Sequence, residues 1–314
     1  MTRSFERRTL LALSGATLAR PALAQGSAGR PITFIVPWAP GGGTDVVGRA
    51  AAPILAERLG APVAVVNRPG GNGVVGHMAI RNAPPDGTTI GFIVPNLLTA
   101  PLFAPTPITW RDLQPIALLN SDAGAVTVAQ NAPWRDLAAL VAHARQNPEA
   151  VRIGNSGPGG TWHLVALELE RKANIRVTHV AYAGAAPGLQ DLVAGNIEAV
   201  GFSAVEARGQ VEGGSARILA VTARERMAVF PNAPTAIEQG FEIDVATWRG
   251  LAAPPGTPEP VLARLQDALR AVATDPRFTA FMAQQGFGIR YLDTAAFTAH
   301  LQSEDALYRR YFQS

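Results

Sequence analysis

A glycine-rich turn near the start of the chain constrains the fold more than any other segment. An apolar run at Ile32–Val36 leads through Pro37 to three consecutive glycines, and Thr44 and Asp45 then open a segment with helical apolar spacing. Glycine lets the backbone approach a ligand closely, and the N–H groups at a helix start favour an anion. The segment therefore predicts either an anion-binding loop or a tight strand-to-helix turn without a ligand. We interpret Asp45 as support for this loop, because a carboxylate in a first helical turn stabilises the N–H groups there.

The first residues have the pattern of an export signal. Three arginines precede an apolar stretch at 10–19, and residues 22–24 match a small-x-small cleavage site. We therefore predict that residues 1–24 are a signal peptide and that the mature protein enters the periplasm. The pair Arg7 and Arg8 is compatible with the twin-arginine route, and an ordinary secretory route is equally compatible. The alternative for this stretch is a short buried helix of the mature fold.

The charge of the chain has a different meaning once the predicted signal is set aside. The whole chain has 27 basic and 24 acidic residues, but the part after residue 24 has 23 of each. A balanced mature protein has no general attraction to nucleic acid, so we predict no nucleic-acid partner. The absence of cysteine excludes disulfides, thiol catalysis and cysteine-ligated clusters.

Strand and helix patterns alternate through the first two thirds of the chain. Predicted strands occupy Ile32–Val36, Val63–Val66, Thr89–Val94, Ile116–Val128, Val151–Gly154, Arg176–Tyr182, Ala199–Phe202 and Arg217–Thr222. Predicted helices lie between them, at Asp45–Leu59, Trp134–Gln146 and Thr161–Ala173, with two more that end at Asn82 and Ala194. This order predicts an α/β fold with parallel sheets. The long run at Ile116–Val128 suits a strand that leaves one domain and enters another.

The tail of the chain is predicted to be helical. Its helices are expected at Val261–Thr274, Arg277–Gln285 and Thr294–Phe312. Such a tail covers a sheet that formed earlier in the chain, so we predict that it returns to the first domain and makes that domain discontinuous.

The motifs of several enzyme classes are missing. The only lysine, Lys172, lies outside any phosphate-loop pattern, and the five histidines are scattered, so we predict no metal site and no cofactor. The remaining enzyme hypothesis is a serine hydrolase with Ser156 as nucleophile and His163 as base. The alternatives are that these two residues and Thr161 donate hydrogen bonds to a ligand, or that Ser156 caps a helix while His163 packs in the core.

Several segments, in a fixed order, carry a resemblance to a known family. In chain order they are PWAPGGGTD, NRPGGNGVVG, PPDGTT, GNSGPGGTWHL, THVAYAGAAPGLQDLVAGNIEA, LAVTARER and FPNAPTAIEQGF. Together they resemble the substrate-binding receptors of tripartite tricarboxylate transporters, also called the Bug family. The resemblance covers nearly all of the mature chain.

The resemblance implies a type II periplasmic binding protein fold. Two α/β lobes are joined by two crossing strands, expected at Ile116–Val128 and Arg217–Thr222, with a ligand cleft between the lobes. Residues 25–122 and 223–314 then form lobe 1, and residues 123–222 form lobe 2. The implied function is capture of a small organic carboxylate, such as a di- or tricarboxylate or an aromatic acid, by a monomeric receptor for the membrane permease subunits of the transporter. It implies no catalysis.

The resemblance also assigns residues to the ligand site. Recognition in the family relies largely on main-chain N–H groups and ordered water, so we expect two lobes to hold an acid without a fixed positive side chain. Arg68 and Arg249 adjoin predicted turns and are weaker ligand candidates. The predicted ligand-binding residues are Trp38, Ala39, Gly42, Gly43, Thr44, Asn96, Ser156, Gly157, Thr161, His163, Tyr182, Gly184, Ala185 and Ser203.

Three departures from the family pattern bear on the ligand. Ala183 stands where the family often has lysine, Trp162 where it often has serine or threonine, and Ser203 where it often has aspartate. With serine instead of aspartate at position 203, the chain has no acidic partner there for a ligand amino group. We therefore expect an acidic amino acid to be disfavoured as a ligand. Trp162, if it faces the cleft, favours a flatter or more apolar carboxylate. A receptor of the same fold that docks on a sensor kinase is the alternative to transport.

Overall fold

The computed structural model describes residues 29–313, and the predicted signal peptide lies outside the described residues. Its ten strands are β1 (Ile32–Val36), β2 (Val63–Asn67), β3 (Thr89–Ile93), β4 (Gln114–Ala129), β5 (Arg152–Asn155), β6 (Thr178–Ala181), β7 (Ala199–Val200), β8 (Ala216–Thr222), β9 (Ala246–Ala253) and β10 (Ile289–Leu292). Its ten α-helices are α1 (Gly43–Leu59), α2 (Val74–Arg81), α3 (Asn96–Phe103), α4 (Leu137–Gln146), α5 (Thr161–Ala173), α6 (Ala185–Val193), α7 (Arg208–Glu212), α8 (Glu259–Thr274), α9 (Pro276–Gln285) and α10 (Thr294–Gln313).

The strands form two half-sheets that share β4. In the first half the order is β2-β1-β3-β9-β4, with β1 parallel to β2 and β3 and with β9 antiparallel to β3 and β4. In the second half the order is β4-β7-β5-β6, with β5 parallel to β6 and β7, and β8 also pairs with β4. Parallel pairs require helical crossovers, so each half-sheet is flanked by helices.

Strand β4 connects the two halves. It has 16 residues, which is about 50 Å of extended chain, and this is long enough to cross both half-sheets. Its Gln114–Ala123 part pairs with β9, and its Gly124–Ala129 part pairs with β8. The sequence predicts a second crossing strand at Arg217–Thr222, and the structure corrects this prediction. Strand β8 pairs with only the Gly124–Ala129 part of β4, and β9 makes the return into the first half.

The apolar core is divided in the same way. In the first half, α1 and α8 pack on one face of the sheet, whereas α3 and α10 contribute to the cluster on the other face. A separate cluster fills the second half between β4, β5, α4, α5 and α6. Each fully buried leucine or isoleucine contributes about 1.5–3 kcal/mol to such a core. The tail therefore covers the first half-sheet with α8, α9 and α10.

The segment after β8 packs differently from the expected lobe division. Ala236, Ile243 and Val245 are buried in the cluster of the second half, although they follow the lobe boundary predicted after residue 222. Val245 also bonds both neighbouring strands, since its N–H donates to the Thr222 carbonyl at the end of β8 and its carbonyl accepts from the Gly124 N–H in the middle of β4. The chain thus leaves the second core at about residue 245, where β9 begins.

Local signals explain where the helices begin and end. Helix α4 begins at Leu137, not at Trp134 as predicted, because the Asp136 side chain caps it by accepting the Ala139 N–H at 2.7 Å. Helix α1 ends at Leu59, and the next residue, Gly60, caps it in the left-handed conformation that glycine favours. Four further elements, α3, α7, β9 and β10, were not predicted from the sequence.

Candidate functional site

A cleft lies between the two halves, at the ends of several strands. It encloses about 750 Å³ of empty space, part of it open to solvent, and its walls come from the loops after β1, β3, β5, β6 and β7 and from β9. Ten of the fourteen residues predicted from the sequence line this cleft: Trp38, Ala39, Gly42, Gly43, Thr44, Asn96, Ser156, Thr161, Gly184 and Ala185. Their contact with a ligand stays a prediction.

Four helices begin at the cleft, and none of them has a side-chain cap from its own N-cap residue. The N-cap residues are Gly42 for α1, Pro95 for α3, Gly160 for α5 and Gly184 for α6. Helices α4 and α9, by contrast, are capped by aspartate side chains. Because the first N–H groups of a helix have no partner within the helix, this arrangement directs main-chain donors and positive dipole ends towards the cleft.

Asp45 holds the loop at the start of α1 in place. Its carboxylate accepts hydrogen bonds from the Gly41 N–H, the Arg49 Nε and the Asn67 Nδ2, each at 2.9 Å. The Asn67 amide also donates to the Trp38 carbonyl at 2.9 Å. Burial opposes ionisation of this carboxyl, but the hydrogen bonds hold the pKa of Asp45 below its ordinary value. The structural role inferred from the sequence agrees with this geometry.

The floor of the cleft holds a buried ion pair. Arg249 of β9 lines the cleft and pairs through Nη1 with Asp122 of β4, and both side chains are almost fully buried. The guanidinium also donates to the Asn120 Oδ1 at 2.5 Å and to the Thr44 Oγ1 at 3.1 Å. A positive side chain on the wall differs from the expectation of main-chain donors alone, although Asp122 balances its charge.

A side chain from the first half occupies the start of α5 in the second half. The Asn96 Oδ1 accepts hydrogen bonds from the Thr161 Oγ1 at 2.7 Å and from the Thr161 N–H at 3.2 Å. The Asn96 amide in turn donates to the Asn72 Oδ1 at 2.6 Å. Thr99 of α3 adds a hydrogen bond to the Gly159 carbonyl. These contacts hold the β5–α5 loop against the first half.

A reciprocal contact occupies the start of α1. The Oε1 of Glu206, on the loop after β7, accepts the Gly43 N–H at 2.9 Å. Burial raises the pKa of the Glu206 carboxyl, and nearby Arg249 partly opposes this. Each half therefore places a side-chain oxygen on a helix start of the other half.

Four of the predicted ligand residues do not line the cleft. Gly157 lies on the β5–α5 loop with its N–H donated to the Asn155 Oδ1 at 2.8 Å. Tyr182 turns its hydroxyl to the Asp191 carboxylate at 2.8 Å, and burial, followed by that hydrogen bond, raises its pKa to about 12. Ser203 is fully buried and accepts the Val205 N–H at 3.2 Å.

His163 is the fourth, and it packs in the interior. Its ring lies edge-on to the rings of His179 and Phe103, with centroids 4.7 and 5.6 Å away. Burial, with a smaller contribution from His179, lowers its pKa to about 4. Ser156 lines the cleft and accepts the Trp162 N–H at 3.1 Å, and among residues 29–313 no hydrogen bond joins it to His163. The pair does not have the geometry of a nucleophile and its base.

Sequence reasoning missed several residues of the wall. Glu206 and Thr247 line the cleft, together with Arg249, which the sequence marks only as a weaker candidate, and Trp162, whose position at the cleft the sequence left open. A signal existed for Arg249, since it is the one charged residue of the otherwise apolar and polar-uncharged segment 246–253. The sequence has no comparable signal for Glu206, which reaches the cleft only through its pairing with a residue 163 positions away.

Gly43 is expected to tolerate no side chain. A Cβ there would lie 2.5 Å from the Arg249 Nη2 and 3.1 Å from the Glu206 Oε1. Because the guanidinium is buried and bonded on several sides, we expect Gly43→Ala to lower the free energy of unfolding by about 1–3 kcal/mol. Gly42→Ala is the matched control, since its Cβ would have no neighbour closer than 3.8 Å. Urea unfolding without ligand measures both, and equal midpoints would contradict the expected packing.

Among residues 29–313, no group of three or more histidine or acidic side chains is placed to hold a metal ion. No helix in that range combines the length and apolar character needed to cross a bilayer.

Comparison with known proteins identifies the family of this chain. The family model described as "Tripartite tricarboxylate transporter family receptor" matches residues 47–310. A UPF0065 protein of Bordetella pertussis is 32% identical over 265 residues, which are 82% of this chain and 80% of the relative. These matches confirm the family predicted from the sequence.

Solved structures extend the comparison to the fold. MatC of Rhodopseudomonas palustris, solved with bound malate, is 27% identical with a TM-score of 0.83, over 90% of this chain and 98% of that one. An R. palustris protein solved with adipate is 25% identical with a TM-score of 0.84, over 89% and 95%. The predicted two-lobe periplasmic binding protein fold is thereby confirmed.

The family also defines the general activity. Its members are periplasmic solute-binding receptors, not enzymes, and they bind small carboxylates and work with the membrane subunits of a transporter. The hydrolase hypothesis for Ser156 and His163 is therefore dropped. Since the family model and the relative both span most of its length, this chain belongs to the receptor family of the tripartite tricarboxylate transporters.

Proposed function

We propose that this protein captures a small organic carboxylate in the cleft and delivers it to the permease subunits of a tripartite tricarboxylate transporter. The observation that carries the proposal is that helices from both halves begin at one cleft. None of these helices has a side-chain cap from its own N-cap residue. A buried carboxylate must be well hydrogen-bonded, because otherwise desolvation outweighs the contacts. The starts of α1 and α6 provide the donors that such a ligand requires, whereas the Thr161 and Trp162 N–H groups at the start of α5 already donate to side chains of the protein.

The walls indicate the rest of the ligand. The indole side chains of Trp38 and Trp162 line the cleft, together with several alanines and prolines. We infer a ligand whose carboxylate meets the helix starts and whose body is aliphatic or aromatic. The malate and adipate bound to two related structures fit a cleft of this kind.

The proposed mechanism is hinge closure. We propose that lobe 1 comprises the first half-sheet with the tail helices and that lobe 2 comprises the second half-sheet. A ligand that contacts both lobes shifts the equilibrium towards the closed state by its differential affinity. The closed monomer then presents a surface that the membrane subunits recognise.

A calorimetric screen of carboxylates tests the proposal. The panel contains dicarboxylates, tricarboxylates, aromatic acids and amino acids, and mass spectrometry identifies any acid that co-purifies with the protein. Binding of at least one carboxylate in a one-to-one ratio supports the proposal. If no member of the panel binds and no acid co-purifies, the proposed function is wrong.

Thr161→Val is expected to weaken binding of that carboxylate by about 1–3 kcal/mol. The substitution removes a hydroxyl from the cleft wall and breaks the hydrogen bond to Asn96 that connects the two halves. Thr178→Val is the matched control, because Thr178 is exposed on β6 and its hydroxyl bonds the Glu149 carbonyl, away from the cleft. Calorimetry gives both dissociation constants, and a value for Thr161→Val that equals the control removes Thr161 from the site.

A further inference from the structure

The turn between β2 and α2 contains a glycine-rich motif that the proposed ligand contacts do not use. Its Asn72 has φ 54° and ψ 38°, in the left-handed region that asparagine tolerates better than most residues other than glycine. Asn72 is half-buried and is not among the residues that line the cleft. Its side chain nevertheless reaches the other half, because the Asn72 Nδ2 donates to the Pro158 carbonyl of the β5–α5 loop at 3.3 Å.

A chain of hydrogen bonds runs from the Pro158 carbonyl through two asparagines to the start of α5. The Asn72 Oδ1 accepts from the Asn96 Nδ2 at 2.6 Å. The Asn96 Oδ1 accepts from the Thr161 Oγ1 at 2.7 Å and from the Thr161 N–H at 3.2 Å. The two asparagines belong to the first half, whereas Pro158 and Thr161 belong to the second. The chain of bonds therefore attaches the β5–α5 loop to the first half at two points.

The two ends fix the direction of every bond in this chain. A carbonyl such as that of Pro158 only accepts, and a main-chain N–H such as that of Thr161 only donates. Each asparagine must therefore turn its NH₂ group towards Pro158 and its oxygen towards Thr161. Reversing one amide, or replacing Asn72 with aspartate, would bring two acceptors together. Asn72 thereby orients the Asn96 side chain, which lies on the wall of the cleft.

The two halves also approach closely beside this chain of bonds. Gly159, the residue after Pro158, has φ 72°, and a Cβ there would lie 2.6 Å from the Ala100 Cα of α3. Thr99 of α3 donates to the Gly159 carbonyl. These contacts require the halves to be close together, so opening of the cleft would break them and expose their polar groups to water. They therefore stabilise the closed state and not the open one.

We propose, on the basis of the function proposed above, that Asn72 is a latch that holds the two halves closed over the bound carboxylate through Pro158 and Asn96. Asn72 is a positioning residue, since it acts through these neighbours and does not line the cleft. A carboxylate enters and leaves while the cleft is open. The latch therefore slows dissociation, whereas association with the open cleft does not depend on it.

The distance between the halves tests the latch with and without an acid. Because the chain has no cysteine, Arg58→Cys on α1 and Ala142→Cys on α4 provide two unique sites for spin labels, and both residues are exposed. Double electron–electron resonance measures the distance distribution with the wild-type residue at position 72, in Asn72→Gly and in Asn174→Gly. Asn174 is the matched control, because it is also left-handed, at φ 49°, but it is exposed at the end of α5 and does not line the cleft.

Binding kinetics test the effect on a bound acid. Succinate, adipate, citrate and benzoate are the probes, and stopped-flow tryptophan fluorescence gives the rate constants for each acid that binds. We expect Asn72→Gly to raise the dissociation rate constant about 5- to 30-fold and to leave the association rate constant within about twofold of the wild type. Asn72→Asp keeps the shape of the side chain but places an acceptor against the Pro158 carbonyl. It should also speed dissociation, including at high salt, where repulsion between the new charge and the acid is screened.

The closed, short-distance population is expected to fall in both Asn72 variants and to persist in the Asn174 control. The proposal is overturned if Asn72→Gly matches Asn174→Gly in distances and dissociation rates, if only association changes, or if the wild type shows no short-distance population with or without an acid. Thermal unfolding confirms that each variant is folded, and Asn72→Asp serves as the test if Asn72→Gly is not. If no carboxylate binds, the proposed function is wrong, and the distances without acid still decide the role of Asn72.

Discussion

Replacing Arg249 with methionine is expected to lower the free energy of unfolding by about 3–5 kcal/mol. The Arg249 and Asp122 side chains are 2% and 0% exposed, so the substitution leaves a carboxylate in the interior without its counter-charge. The Asp122 Oδ1 keeps hydrogen bonds from the Asn120 Nδ2 at 2.9 Å and the Gly288 N–H at 3.1 Å, but these are neutral donors. The loss of a buried partner costs more than the pair contributes, because the remaining charge is desolvated.

A double variant separates the loss of charge balance from a simple loss of packing. Asp122→Asn removes the uncompensated charge, so Arg249→Met with Asp122→Asn is expected to recover most of the stability lost by the single variant. Arg224→Met is the surface control, because Arg224 pairs with Asp244 while 83% exposed, and its loss is expected to cost less than about 1 kcal/mol. Urea unfolding at pH 7 measures all three. A single Arg249 variant as stable as the surface control would show that the buried pair has no such role.

Two titratable groups, one fully buried and one partly buried, are expected to make stability depend on pH in opposite directions. The first is His77 of α2, whose Nε2 is buried without a partner among the described residues and whose pKa is lowered by burial to about 3. Below pH 6.5 the unfolded chain binds a proton at this histidine and the folded protein does not, so acidification destabilises the fold. His77→Gln removes this effect. Relative to the wild type, the variant should therefore gain about 1.4 kcal/mol per pH unit as the pH falls from about 6.5 to about 4.5.

The second group is Glu304 of α10, which borders another cavity on the opposite face of β9. Its Oε2 accepts the Trp248 indole N–H at 2.6 Å, and burial raises its pKa to about 7 despite that hydrogen bond. Between pH 4.5 and 7 the folded protein holds a proton that the unfolded chain has released, so stability falls as the pH rises. Relative to the wild type, Glu304→Gln should gain about 3 kcal/mol as the pH rises over that range.

Urea unfolding of the wild type and the two variants at intervals of about half a pH unit, from about pH 4.5 to about pH 7.5, measures both effects. The two difference curves should have slopes of opposite sign, and each variant serves as the control for general effects of pH. A flat difference curve for His77→Gln would mean that the histidine is protonated in the folded state. A flat curve for Glu304→Gln would mean that the carboxylate is ionised throughout.

The parts of the fold that sequence reasoning located best are those with a strong local signal. Strand β1 and helix α5 were predicted with the bounds that the structure has, because an apolar run or helical spacing lies between clear breaks at proline and glycine. Strand β9 was missed because it is almost entirely buried, so it lacks the alternation that identifies a half-buried strand. Helix α3 was missed because Pro101 and the short run Asn96–Phe103 weaken the helical pattern.

The candidate site shows the same division. Glycine-rich loops are recognisable by composition, so Gly42, Gly43 and Gly184 could be placed at a ligand site from the sequence alone. The four predicted residues that lie behind the wall, such as Tyr182, are close in sequence to residues that line it. Sequence proximity placed them near the cleft, but the direction of each side chain depends on neighbouring elements. The Tyr182 hydroxyl points to Asp191 because α6 brings that carboxylate within 2.8 Å.

By itself the sequence determined the family, the alternation of strands and helices, and the glycine turns from which helices α1, α5 and α6 begin. Only the tertiary structure decided the electrostatics of the cleft. Arg249 pairs with Asp122, which is 127 positions away in the sequence, and Glu206 accepts a hydrogen bond from Gly43, which is 163 positions away. Local patterns report propensity and burial along one element, whereas the charge that a ligand meets depends on which distant residues the packed lobes bring together.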